Sequence, residues 1–188
     1  MRLLVLATAL ACAAVMLLSL GVGVLAGSGP LAGMGLGAMG GALVPSASPG
    51  PAALRLPPQM LDLYRRAATS CPGLPWSVLA GIGTVESSNG TSDLPGVHSG
   101  ANYAGAEGPM QFEPGTFAEY DEPVPPGGSS PPSPYDPVDA VYAAARLLCA
   151  NGAANGKDIG AAVFTYNHSQ SYVDEVLSLA RSYSGGTG

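Results

Sequence analysis

The stretch PGLPWSVLAGIGTVESSNG, residues 72–90, decides how the rest of the chain is interpreted. Pro75 suits a first helical turn, and the closing Asn-Gly pair suits a helix stop. Leu79, Ile82 and Glu86 project from one side of this helix, because residues four and seven positions apart share a face. That face is otherwise apolar and should be buried. A single carboxyl group on it needs a physical reason.

The pattern predicts that Glu86 keeps its proton close to neutral pH. A carboxyl group in an apolar pocket prefers its neutral form, so its pKa rises. The negative end of the helix dipole, in the last turn, disfavours ionisation further. A protonated carboxyl beside a cleft is suited to general acid catalysis. The alternative is an acid at a fraying helix end, partly solvated and without a chemical role.

The N-terminal part of the chain is predicted to lie outside the folded domain. Residues 1–26 carry one Arg, a long apolar run and no acid, which is typical of a signal peptide or a signal anchor. Small residues at the end of this run suit cleavage. The run is also long enough to span a bilayer, in which case residues 3–26 would tether the protein to a membrane. Either reading places the rest of the chain outside the cytoplasm, secreted or membrane-anchored. Residues 27–57, rich in Gly, Ala, Pro and Ser, read as a flexible tether.

Cysteine use agrees with an oxidising compartment. Cys12 belongs to the leader, which leaves Cys71 and Cys149 to pair with each other. The alternative is two buried free thiols. No Cys and His residues cluster at the spacing of a zinc site, so we expect no metal.

The charge balance disfavours nucleic acid as a partner. The formal net charge is −6, from 7 basic and 13 acidic residues. Cleavage of the leader would take away one charged residue, Arg2. No basic run exists that would neutralise a phosphate backbone.

Apolar periodicity predicts a mainly α domain over residues 58–184, followed by a disordered tail at 185–188. A Gly-rich segment is expected to form a loop with a small hairpin, and a Pro/Gly/Ser segment an exposed loop. The predicted helices lie within residues 58–71, 75–90, 114–121, 136–152, 157–167 and 171–183, the hairpin region within 91–113, and the exposed loop within 122–135.

The clearest helix signal is DPVDAVYAAARLLCANG, residues 136–152. Asp136 suits the N-cap and Pro137 the first turn. Asp139 is in place as a capping partner, and Gly152 suits the stop.

Three short blocks resemble the soluble lytic transglycosylase family in their order. The first is Glu86-Ser87, and the second is GPMQF at residues 108–112. The third is TYN at 165–167, followed by a Tyr-Val pair. The family's usual blocks are Glu-Ser, Gly-Leu-Met-Gln-aliphatic, and Ala-Tyr-Asn-small followed by Tyr-Val. The helix at 136–152, between the last two blocks, also matches the family. The leader, the tether and the cysteine pair resemble the secreted actinobacterial-type branch.

The resemblance implies a lysozyme-like, mostly helical fold that acts on peptidoglycan glycan strands as a monomer, without cofactor or metal. It implies cleavage of the β-1,4 bond between N-acetylmuramic acid and N-acetylglucosamine, with formation of a 1,6-anhydro sugar. Glu86 would serve as the single catalytic acid and base. Ser87 would help to orient its carboxyl group, and Tyr166 would reach that group with its hydroxyl.

The same resemblance implies a substrate-binding wall. Met110 and Gln111 would line the sugar site, and Asn167 would shape the same wall. Phe112 stands where the family has an aliphatic residue and adds a stacking face. Tyr103, in the neighbouring Gly-rich loop, either stacks on a sugar or belongs to a hairpin core.

Departures from the family pattern keep rival functions open. Pro109 replaces a Leu and removes a backbone donor, which would narrow one side of the site. His168 replaces a small residue and either faces the cleft or caps a helix in solvent. Hydrolysis, as in a goose-type lysozyme, is one alternative, and a well-placed second acid from Asp93 or Glu107 would favour it by activating water. A non-catalytic peptidoglycan-binding module on the same fold is the other alternative.

Overall fold

The computed structural model describes residues 51–185, and in this part of the chain the regular elements are helices without any β-strand. The mainly α fold class is thereby confirmed. The predicted leader 1–26, most of the tether and the tail residues 186–188 lie outside the described residues. Within residues 51–185, no helix is long and apolar enough to cross a bilayer. The α-helices are α1 Pro58–Ala68, α2 Trp76–Ser87, α3 Pro114–Tyr120, α4 Pro137–Leu148, α5 Ile159–Asn167 and α6 Gln170–Ser184.

The folded region begins before the boundary expected at residue 58. Pro51–Arg55 forms a 3-10 helix. Ala53 and Leu56 are both buried in the core. The end of the segment expected as a tether therefore packs onto the domain. Its Pro- and Ala-rich sequence has no helical or strand period, so the sequence offers no signal for this contact.

Helix α2 runs through the centre of the domain. Leu79 and Ile82 are fully buried on it. Two glycines allow its neighbours to approach closely: a Cβ at Gly81 would lie 2.7 Å from the carbonyl oxygen of Val176 on α6. A Cβ at Gly83 would lie 2.0 Å from the hydroxyl of a buried tyrosine on α1. This close packing fixes the position of the last turn of α2, which carries Glu86.

The start of α4 agrees with the sequence-based prediction only in part. Asp136 caps it as predicted, accepting a hydrogen bond from the backbone N–H of Val138. Asp139 does not act as a capping partner: it is fully buried and accepts from the backbone N–H groups of Ser129 and Ser133. Asp139 takes this different role because the Pro-rich loop at 122–135 folds over this end of the helix, and the backbone N–H groups of that loop need acceptors.

The predicted disulfide is present. Cys71 and Cys149 are bonded, with their Cα atoms 5.6 Å apart. The bond joins the turn between α1 and α2 to the end of α4, where Cys149–Ala153 forms one π-helical turn. The turn that precedes α2 is therefore fixed covalently to the end of α4.

The Gly-rich segment contains a single antiparallel bridge in place of a full hairpin. Glu107 and Phe112 exchange two backbone hydrogen bonds of 2.9 Å. They close a tight turn that we call the 108–112 turn. Gly108 has φ 77°, and its Cα lies against the carbonyl of Pro134, where any side chain would clash.

Candidate active site

The site is built around Glu86, in the last turn of α2. Its side chain is half-buried, and its Oε1 accepts a 2.5 Å hydrogen bond from the hydroxyl of Tyr172, in the first turn of α6. Burial raises the pKa of Glu86 to about 7, and the Tyr172 hydrogen bond opposes this rise. A large share of the Glu86 side chains therefore carries a proton at neutral pH, as the sequence predicted.

Tyr172 makes the contact that sequence analysis assigned to Tyr166. The hydroxyl of Tyr166 donates instead to the backbone oxygen of Met110, at 2.8 Å, so the predicted Tyr166–Glu86 bond is wrong. The two tyrosine rings are stacked with centroids 6.4 Å apart. Burial and the nearby charge of Glu86 raise the pKa of Tyr166 far above its usual value. The Tyr-Val pair after the third block was the available signal for Tyr172.

Ser87 holds the 108–112 turn against the end of α2. Its buried hydroxyl donates to the backbone oxygen of Pro109 at 2.6 Å and accepts from the N–H of Gly90 at 2.7 Å. These bonds do not involve the carboxyl of Glu86. Ser87 therefore positions the neighbouring turn, and the missing donor of Pro109 does not matter for this contact because only its carbonyl is used.

The 108–112 turn presents the side chain of Gln111 and buries those of Pro109, Met110 and Phe112. Met110 is fully buried, and Phe112 packs in the core with its ring 5.7 Å from those of Phe117 and Tyr166. Gln111 is half-exposed, and its backbone has a positive φ of 49°, which is uncommon for a residue with a side chain. Its Nε2 donates to the oxygen of Gly108 at 2.8 Å.

Residues 64–185 match the family Transglycosylase SLT domain. The chain belongs to this family. No curated protein and no solved structure matches the chain. Membership makes it a transglycosylase of the glycosidase-like kind that acts on peptidoglycan, and the disulfide fits a place outside the cytoplasm.

Three other residues singled out from the sequence lie at the surface of the SLT domain. Tyr103 is 87% exposed, which excludes its alternative role in a hairpin core. Asn167 is exposed at the end of α5. His168 follows in a left-handed cap conformation, with its ring 5.9 Å from that of Phe164. It matches the alternative of a solvated capping histidine.

Asp93 and Glu107, the acids that could assist Glu86, share no hydrogen bond with it. Asp93 is exposed in a loop. Glu107 is half-buried, with its backbone engaged in the bridge to Phe112. Within residues 51–185, no group of three or more His, Cys, Asp and Glu side chains is arranged to hold a metal. The hydrogen-bonded pair at the candidate site is therefore the Glu86 carboxyl group and the Tyr172 hydroxyl.

The site is not identified by its cavity volume. Two surface cavities of about 470 and 440 Å³ lie elsewhere, one beside Tyr142 and Arg146 and the other beside Arg55 and Tyr183. Neither is lined by Glu86. The perturbed carboxyl group, its hydrogen-bonded tyrosine and the adjacent turn make this region the candidate site.

Proposed function

We propose that this SLT domain is a lytic transglycosylase that cleaves the β-1,4 bond between N-acetylmuramic acid and N-acetylglucosamine and leaves a 1,6-anhydro muramic end. The observation that carries the proposal is the state of Glu86. Its half-buried carboxyl has a pKa of about 7 and is held in place by the hydroxyl of Tyr172. A group in that state can give up a proton and take one back at neutral pH.

The reaction needs Glu86 in both roles. In its acid form it gives its proton to the glycosidic oxygen, and the bond from that oxygen to the anomeric carbon breaks. The 6-hydroxyl of the same muramic residue attacks the anomeric carbon and forms the anhydro ring. The ionised Glu86 accepts the proton from this hydroxyl, which restores the acid. This series of steps consumes no water and uses no metal ion.

The surroundings of Glu86 favour this route over a two-carboxylate mechanism. Glycosidases that use two carboxylates place the groups about 5–9.5 Å apart across the bond. The side-chain hydrogen bond of Glu86 comes from Tyr172, and burial is the main cause of its raised pKa. An intramolecular nucleophile removes the need for a second base. The N-acetyl group of the substrate can also assist at the anomeric carbon, as in substrate-assisted families.

We propose different duties for the remaining residues of the predicted site. Gln111, Tyr103 and Asn167 are accessible and would contact the glycan strand. Met110 and Phe112 are buried and would support the 108–112 turn from beneath. Ser87 would keep that turn against Glu86.

The proposed place of action is the cell wall. The disulfide supports an oxidising environment. We propose export through residues 1–26, with membrane tethering if that segment is retained.

Mass spectrometry of the sugars released from purified peptidoglycan tests the proposal. We expect muropeptides with anhydro ends, each lighter by one water than the hydrolysed product. Hydrated reducing ends alone would identify a hydrolase with water as the nucleophile. Absence of any released sugar, with binding retained, would identify a binding module.

A further inference from the structure

The side chain of Asn102 makes hydrogen bonds to two neighbouring turns of the domain. Its Oδ1 accepts hydrogen bonds from the backbone N–H groups of Ala104 and Ala106, at 2.7 and 3.0 Å. Its Nδ2 donates to Oε1 of Gln111, at 2.9 Å. One asparagine thus closes the turn that carries Tyr103 and reaches across to the 108–112 turn.

The turn around Tyr103 is fixed from several sides. The backbone N–H of Asn102 donates to the oxygen of Ala106 at 3.0 Å, and the N–H of Gly108 donates to the oxygen of Gly96 at 2.7 Å. The hydroxyl of Tyr135 donates to the oxygen of Gly100 at 2.7 Å. A large aromatic side chain is therefore held out in solvent by a well-bonded loop.

Such an arrangement is favourable for binding. An aromatic ring on a loop that is already ordered loses little conformational entropy when a ligand covers it. The ring of Tyr103 is 87% exposed, so nothing within the described residues covers it. Its apolar face and its hydroxyl suit the face of a sugar ring.

Gln111 connects this loop to the surroundings of Glu86. It lies in the turn whose Pro109 oxygen is bonded by Ser87. The next carbonyl of the same turn is bonded by Tyr166, which stacks on Tyr172. The Asn102–Gln111 bond therefore continues a chain of contacts that starts at Glu86.

We propose that Asn102 is a positioning residue for glycan binding. It holds the Tyr103 ring and the Gln111 carboxamide in one fixed arrangement, so that the two side chains contact neighbouring sugars of one strand. The inference rests on the proposed function for the identity of the ligand as a glycan strand. The side-chain partners of Asn102 are Ala104, Ala106 and Gln111 and do not include Glu86, so its contribution falls on strand affinity and not on proton transfer.

The Asn102→Asp substitution tests the link selectively. A carboxylate keeps the acceptors for Ala104 and Ala106 but presents an oxygen to Oε1 of Gln111. Rotating the Gln111 carboxamide does not repair this, because its oxygen would then face the carbonyl of Gly108. Asn155→Asp is the matched control, since it adds the same charge at an exposed position outside both turns, whose backbone N–H donates to the oxygen of Pro72.

Binding of soluble, uncrosslinked glycan strands is measured by calorimetry in the Glu86→Gln background, where no cleavage interferes. We expect Asn102→Asp to raise Kd about tenfold, because one hydrogen bond is lost and two acceptor oxygens then face each other. Asn155→Asp should leave Kd unchanged. With Glu86 restored, KM should rise much more than kcat falls.

A double-mutant cycle tests the coupling without changing Asn102. Tyr103→Ala and Gln111→Ala should each raise Kd. In the double variant, the rise in Kd should be smaller than the product of the two single rises. Independent effects would overturn the inference, as would an unchanged Kd in Asn102→Asp. Failure of the proposed function would look different: no anhydro sugar from the parent protein, with these binding effects intact.

Discussion

At the residue scale, Glu86 is subject to two opposed influences. Burial favours the neutral carboxyl, and the hydroxyl of Tyr172 stabilises the ionised form. The sequence predicts the first influence, because the apolar face of α2 is visible in the residue pattern. It does not predict the second from periodicity, because Tyr172 lies 86 positions away and meets Glu86 only through the packing of α6 on α2.

Tyr172→Phe should raise the pKa of Glu86 further, since the hydrogen bond that stabilises its ionised form is lost. The upper limb of the pH profile of kcat should move to higher pH by about one unit. Steady-state rates on soluble glycan across pH 5–9 measure this shift. Tyr166→Phe is the control, because its hydroxyl bonds Met110 and not Glu86. A limb that moves to lower pH would contradict the assignment.

The pKa of Glu86 also predicts how stability depends on pH. The folded value is about 7 and the ordinary value is 4.5, so the unfolded chain releases this proton first. The stabilisation that the shifted pKa of Glu86 gives the folded state is therefore fully present below pH 4.5, and it is lost as pH rises through 7. Relative to Glu86→Gln, the wild-type free energy of unfolding should fall by about 2 kcal/mol over this range, since partial exposure screens the effect. Urea denaturation at several pH values measures it, and parallel curves for the two proteins would refute the shifted pKa.

At the element scale, the sequence predicts where helices begin and end, but it does not predict the irregular segments. Asp136 caps α4, and α3 begins at Pro114, as the sequence predicts. The 3-10 helix at Pro51–Arg55 and the burial of Asp139 were not predictable. Both depend on what the rest of the chain packs against them, and local patterns carry no information on that.

Gly83, in the middle of α2, tests how closely this helix packs on α1. Gly83→Ala should destabilise the domain by about 2–3 kcal/mol, because its Cβ would lie 2.0 Å from the hydroxyl of the buried Tyr64. Gly115→Ala, in α3, meets no atom within 4 Å and should be neutral or stabilising by up to about 1 kcal/mol. Thermal unfolding compares the two. Equal effects would mean that α2 does not pack on Tyr64 as described.

At the scale of the whole molecule, the disulfide connects the segment before α2 to the end of α4. Its two cysteines are 78 positions apart, so the bond restricts a large part of the unfolded chain. This long-range pair was predictable from cysteine count and compartment, whereas the close packing of α2 between its neighbours was not.

Replacing both cysteines by serine should lower the free energy of unfolding by about 4 kcal/mol in the chain-entropy model. Urea denaturation of the double variant, compared with the oxidised and reduced wild type, measures the loss. The reduced wild type should resemble the variant. An oxidised protein no more stable than the reduced one would show that the bond contributes nothing to the fold.

The most direct test is sugar release from purified peptidoglycan by the wild type and by Glu86→Gln, with equal folding checked by circular dichroism. The amide keeps the size of the side chain and an acceptor for Tyr172, but it cannot give a proton. Release of anhydro sugar should fall about a thousandfold or more, in line with the loss of an acid that also serves as base. Equal release by the two proteins would contradict the assignment of Glu86 as the proton donor.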